Sequence, residues 1–192
     1  MNPGKRRHIH LVGFSGVGKS TCGPLIARAL GMKFVDLDDV IEGRCSRNLG
    51  RIYAERGETA VRTLEAEALS YVCRRSIPSV VAMGSGVPLT RENRAAMRET
   101  GVTVYLSAPP QVLLARIMSS TQSGEGSNHA AGPLCMAAEP FALIESLVLF
   151  RAAYYMAVAD LEVAVGMHTP AQAAQVVVRE LANRGVILTA SD

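Results

Sequence analysis

The sequence predicts an α/β fold, a five-stranded parallel sheet with helices on both faces, and two features of the chain carry that expectation. Short apolar runs rich in Val, Ile or Leu and bounded by Gly, Pro, Asp or Ser alternate with longer stretches of helical period, which is the pattern of βαβ units. A length of 192 residues, with 48% hydrophobic and 19% charged, suits one globular domain over residues 1–192. The same composition excludes a disordered chain, which needs low hydrophobicity and high net charge.

The strands are expected at residues 9–12, 34–37, 80–83, 102–106 and 161–165. Between them, 20–30 reads as a helix closed by Gly31, and 59–75 as a longer one with Val61, Leu64, Ala68, Leu69 and Val72 on one face. Further helices are expected at 92–100, stopped by Gly101, and at 110–118, 142–159 and 170–183. The stretch SSTQSGEGSNHAAG is Ser- and Gly-rich and lies between two helices, so a mobile lid is expected over about residues 119–134.

Basic residues outnumber acidic ones by 20 to 17, a net charge of +3, but they are scattered and form a run only at Lys5-Arg6-Arg7. That run reads as a solvated tail, and no nucleic-acid partner is expected. Cys22, Cys45, Cys73 and Cys135 fall in no metal-ligand spacing and read as reduced, buried or half-buried thiols. The apolar stretch after the basic start is too short for a signal-peptide core or a membrane span, so a cytoplasmic protein without a membrane partner is expected.

The most informative segment is Gly13-Phe14-Ser15-Gly16-Val17-Gly18-Lys19-Ser20-Thr21, a GxxxxGK[ST] match between an expected strand and an expected helix. Its glycines let backbone N–H groups curl toward phosphate oxygens, and the helix N-terminus adds its positive dipole end. Gly16, Val17, Gly18, Lys19, Ser20 and Thr21 are thus candidates for nucleotide binding, with Lys19 on the β- and γ-phosphates and Ser20 on Mg²⁺. Lys19 is one of only three lysines, with Lys5 and Lys33.

The second strand ends in Val35-Asp36-Leu37-Asp38, two acids that project to one side of an extended chain at the end where α/β folds place ligands. One suits the waters of a magnesium ion and the other an acceptor hydroxyl. Asp39 is read as the cap of the following helix.

On these residues the chain resembles the shikimate kinases, small P-loop kinases of the nucleoside monophosphate kinase fold. The resemblance extends through FVDLDDVIE at 34–42, GETAVRTLE at 57–65, VVAMGSGV at 80–87, VYL at 104–106 and FRAAYYMAVAD at 150–160. It implies transfer of the γ-phosphate of MgATP to the 3-hydroxyl of shikimate, with Asp38 as substrate contact and candidate base and Asp36 near the metal. It also implies that Arg62 and Arg151 grip the substrate carboxylate, which suits a charged, bidentate guanidinium. From the sequence alone, Arg62 equally suits ion pairs with Glu58 and Glu65 on its own helix. Arg116 resembles the family arginine near the adenine.

Two departures stand out. The family's triple glycine reads Gly84-Ser85-Gly86 here, where the backbone N–H groups remain for the acceptor but a side chain is added; serine is strained there if the site needs φ > 0. The family's lid Arg-Pro-Leu reads Gly132-Pro133-Leu134, and residues 119–140 contain no Lys or Arg. Loss of a charge-stabilising arginine implies slowed transfer. Ala157 also stands where the family commonly has Glu. Two other readings compete with an active monomeric shikimate kinase: a degenerate nucleotide- or metabolite-binding sensor, and a kinase of another small hydroxy acid.

Overall fold

The computed structural model describes residues 8–123 and 137–186. The chain forms β1 (His8–Val12), α1 (Lys19–Ala29), β2 (Lys33–Asp36), α2 (Leu37–Cys45), α3 (Leu49–Cys73), β3 (Ser79–Ala82), a 3₁₀ turn (Val87–Leu89), α4 (Arg91–Thr100), β4 (Gly101–Ser107), α5 (Pro110–Ser123), α6 (Pro140–Val158), β5 (Leu161–Ala164) and α7 (Pro170–Asn183). All strand pairings are parallel, in the order β2-β3-β1-β4-β5. The five expected strands are therefore all present, with β1 at the centre.

Strand β1 is buried along its whole length, and Leu11, Val80, Val81, Val104 and Leu106 from it and its neighbours have no exposed surface. Each such side chain contributes about 1.5–3 kcal/mol of apolar burial. Helix α7 begins where the sequence places it because Thr169 and Gln172 cap each other's backbone N–H groups and Pro170 takes the first turn. The carboxyl ends of β1, β2 and β3 lie side by side, at the edge where open parallel sheets bind ligands.

The structure corrects the sequence reading at four points. Strand β2 stops at Asp36, and α2 starts at once, so Asp38 sits in a first helical turn and not on an extended chain. The cap of that helix is Asp36, whose Oδ1 accepts the Asp38 N–H at 3.0 Å; Asp39 is an exposed first-turn residue. Helix α3 begins at Leu49, capped by Asn48, and its helical dihedrals break at Gly57 (φ 77°, ψ 179°), so the expected helix at 59–75 is only the part beyond that break. Helix α5 continues to Ser123, so the first residues of the expected lid are helical. The rest of that lid, with Gly132, Pro133 and Leu134, lies outside the described residues, as do Cys135 and the Lys5-Arg6-Arg7 run. Cys22, Cys45 and Cys73 are free thiols, the first buried and the others half-buried.

Helix α6 is the one described helix with the length and apolar composition to cross a membrane. Its Ile144, Tyr155 and Val158 are buried in the core, and its Leu143, Leu147 and Arg151 line the cleft described below.

The sequence reading did not anticipate His8 and His10 inside the sheet, at 2% and 0% exposure. The His10 ring fits because residue 101 is glycine: a Cβ there would lie 2.4 Å from Nε2. Its Nε2 meets Thr100 Oγ1 at 3.3 Å, and burial together with His8 lowers its pKa to about 3. The unfolded chain binds a proton on this ring below about pH 6.5 and the folded chain does not, so the neutral ring's contribution is complete above pH 6.5 and is lost as pH falls toward 3. Wild-type stability relative to His10→Leu is expected to fall by about 1.4 kcal/mol per pH unit below 6.5. Urea midpoints of both proteins between pH 5 and 8 test this; a pH-independent difference would contradict it.

Candidate active site

The turn from β1 into α1 forms the phosphate-binding loop. Gly13, Gly16 and Gly18 have φ of 144°, 77° and 104°, conformations that side chains resist, and the loop ends at the N-terminus of α1. Lys19 Nζ donates to the Gly13 and Phe14 carbonyls at 2.9 and 3.1 Å. Burial lowers the pKa of its ammonium, while Asp38 and Asp36 pull the other way. Ser20 and Thr21 are exposed on the first turn of α1.

Asp36 and Asp38 face this loop from the end of β2. Burial, reinforced by Asp36 and opposed by Lys19, raises the Asp38 pKa to about 7. A carboxylate poised there suits proton transfer near neutral pH.

Arg62, on α3, donates to Glu58 at 2.6 Å and to Glu65 at 2.7 Å. Both readings of this residue therefore hold at once: it makes the helix ion pairs, and it lines the cleft. Two of its five N–H donors go to these carboxylates, leaving others for a ligand. Glu65 is 3% exposed, so the pair is a buried one. Gly84 and Gly86 act here through size. A Cβ at Gly84 would lie 2.9 Å from both Asp38 Oδ1 and Glu65 Oε1, and one at Gly86 would overlap the Arg62 guanidinium.

Ser85 is the turning point between the two halves of the site. Its φ is not positive, so serine carries no backbone strain there. Its carbonyl accepts Tyr155 O–H at 2.8 Å, and its Oγ accepts from Ser15 Oγ and Arg151 Nη1, each at 3.3 Å. The Arg151 guanidinium also lies 5.3 Å over the Phe14 ring. Among the described residues Arg151 makes no direct ion pair with a carboxylate, although its charge acts on Glu65 across the wall, and its guanidinium lines the cleft.

At the other end, Arg116 is half-buried, and its guanidinium donates to the carbonyls of Val17, Val165 and Gly166 at 3.3–3.4 Å. It ties the phosphate loop to the segment after β5, where His168 and Pro170 also line the wall.

These groups surround one cleft of about 690 Å³. Of the residues singled out from sequence, Gly16, Val17, Gly18, Lys19, Ser20, Thr21, Asp36, Asp38, Arg62, Gly84, Ser85, Arg116 and Arg151 all line it. Gly86 does not; it makes room for Arg62 from behind. The sequence reading missed Glu65 as a buried part of the wall, Phe14 beneath Arg151, and the Tyr155 and Ser15 bonds to Ser85. Each of these depends on pairing across the fold, except Glu65, whose spacing from Arg62 signalled the ion pair but not its burial.

Comparison with known proteins follows the same lines. A family model described as shikimate kinase matches residues 15–182. The chain is 37% identical over 158 residues to a shikimate kinase of Bordetella pertussis, an alignment covering 82% of this chain and 70% of that one. It is 42% identical over 113 residues to one of Chlorobium chlorochromatii, covering 59% of each chain. Among solved structures, the shikimate kinase of Acinetobacter baumannii in complex with shikimate superposes with a TM-score of 0.83, at 26% identity over 95% of this chain and 96% of that one.

Proposed function

Because the chain belongs to the shikimate kinase family, we propose that it transfers the γ-phosphate of ATP to the 3-hydroxyl of shikimate, a step in making aromatic amino acids. The observation that carries this reading is the division of one cleft into two chemistries. One part holds a phosphate loop with its lysine; the same cleft is also lined by Asp38 and by Arg62 and Arg151, two arginines suited to an acid-bearing acceptor.

In this reading Gly16, Val17 and Gly18 offer amides to the phosphates, Thr21 and Arg116 line the nucleotide's end, and Lys19 neutralises charge that builds on the transferring group. Asp38 takes the proton from the acceptor hydroxyl. The new bond joins that oxygen to the γ-phosphorus, and the bond to the bridging oxygen of the β-phosphate breaks. Arg62 and Arg151 fix the acceptor through its carboxylate, and the backbone at Gly84 and Ser85 closes around it.

Magnesium fits the Ser20 hydroxyl and the Asp36 carboxylate, two hard oxygen donors on the cleft wall. Among the described residues no group of three or more His, Cys, Asp or Glu side chains is placed to hold a metal. That suits an ion bound mostly through substrate phosphates. When bound, it supplies further positive charge at the phosphates.

The direct test is ADP release from MgATP with and without shikimate, using quinate and gluconate as alternative acceptors. Shikimate-dependent release is expected, slowed by the glycine at position 132. Release with another acid alone would reassign the acceptor, and ATP binding without release under any condition would support a sensor.

Arg62→Ala is expected to raise the acceptor's KM by about tenfold or more, the worth of a hydrogen bond to a charged group, while leaving that of ATP little changed. It also strands the buried Glu65 carboxylate at a cost of about 3 kcal/mol. Chemical denaturation and steady-state kinetics separate the two effects; equal rises in both KM values would remove Arg62 from the acceptor side.

A further inference from the structure

A serine hydroxyl has one hydrogen to donate and two acceptor positions. At Ser85 both acceptor positions are taken, by Ser15 Oγ and by Arg151 Nη1. Its own hydrogen has no acceptor among the described residues, and Ser85 lines the cleft. The donors on either side aim the hydroxyl, while Tyr155 pins the Ser85 carbonyl from the α6 side. The free hydrogen is therefore oriented and unspent.

What meets it follows from the charges nearby. Asp36, Asp38, Glu58 and Glu65 repel an anion from most of this half of the cleft, and Arg62 is already shared between two carboxylates. Arg151 is the cation here that makes no direct ion pair among the described residues, its charge only reaching Glu65 from beyond contact, so an acid group on the acceptor settles against it and against its hydrogen-bonded neighbour, the Ser85 hydroxyl. We propose that the Ser85 side chain is a recognition residue for the acceptor, donating its O–H to the acceptor carboxylate held by Arg151. This rests on the acceptor assignment made above. Glycine at this position offers only its backbone, so the serine adds a contact to the acid group that Gly84 and Gly86 cannot make.

The test is steady-state kinetics with shikimate and ATP for wild type, Ser85→Ala, Ser85→Gly and Ser85→Thr, with the alanine change repeated in an Arg151→Ala background. Removing a hydrogen bond to a charged group is expected to raise the shikimate KM about tenfold in both Ser85→Ala and Ser85→Gly. ATP's KM stays near its wild-type value, and Ser85→Thr, which keeps the hydroxyl, recovers most of the loss. In the Arg151→Ala background the Ser85→Ala change still weakens shikimate, because the donor acts directly. If the effect vanishes there, Ser85 only props Arg151 and the proposal fails; it also fails if Ser85→Ala and wild type share one shikimate KM. A wild-type protein that releases no ADP with shikimate overturns the acceptor assignment and the Ser85 contact together. Normal wild-type turnover with an unmoved Ser85→Ala overturns the contact alone.

Discussion

Replacing Lys19 with alanine is expected to lower kcat for ATP-dependent transfer by roughly 10³, the loss typical of removing one preorganised charge-stabilising group. The amine is anchored on two loop carbonyls and feels the charges of Asp38 and Asp36, so a smaller residue leaves no other ammonium among the described residues to take its place. Among the described residues the remaining lysine, Lys33, starts β2, away from the cleft wall. Single-turnover measurements with saturating MgATP check this, with calorimetry to follow nucleotide affinity and thermal melting to confirm the fold. Wild-type turnover in the variant would exclude the phosphate loop from the reaction.

The second large effect concerns the proton. Asp38→Asn is expected to lower kcat by about 10²–10⁴, the usual contribution of a positioned general base. The wild-type kcat/KM for the acceptor should rise about tenfold per pH unit below about 7 and level off above it, because Asp38 works as the carboxylate and burial holds its pKa near that value. That acid limb should be absent from the residual activity of the variant. A wild-type profile flat from pH 6 to 8 would assign the proton to another group.

The same shift has a consequence for stability, with the opposite sign to His10. Asp38 is raised from 3.8 to about 7 on folding, so the folded chain binds more protons between those values. Its contribution is complete below pH 3.8 and is lost as pH rises through 7. Asp38→Asn is therefore expected to melt higher than wild type at pH 8 while losing activity, as when a site residue is kept charged at the expense of the fold.

Legibility from sequence differed by element. Long apolar periods and clear end signals placed the five strands, α4 and α7 within a residue or so, because burial and capping there depend on neighbours in the chain. Helix α2 was expected only as a helix of unstated length after Asp39, and the first part of α3 was not assigned: they are polar, contain Gly43, Gly50 and Gly57, and bury few residues, Leu37 and Ile41 in α2 and Leu49 and Ile52 in early α3. Their helicity comes from the Asp36 and Asn48 caps and from packing those few side chains. Asp36 was read only as a metal-side acid because the sequence does not show that its strand ends on it.

The sequence by itself determined the fold class, the phosphate loop and the identities of nearly all the cleft residues. The loop is legible because nine consecutive residues carry both its curled backbone and its charge. Tertiary structure alone decided how the acceptor half is assembled: that Gly86 clears space for Arg62, that Arg151 rests on Phe14, and that Ser85 joins Ser15 to Arg151. The two Ser85 bonds connect positions 70 and 66 residues apart. Such contacts depend on distances and donor directions set by the sheet order and helix packing, and no local period or propensity encodes them.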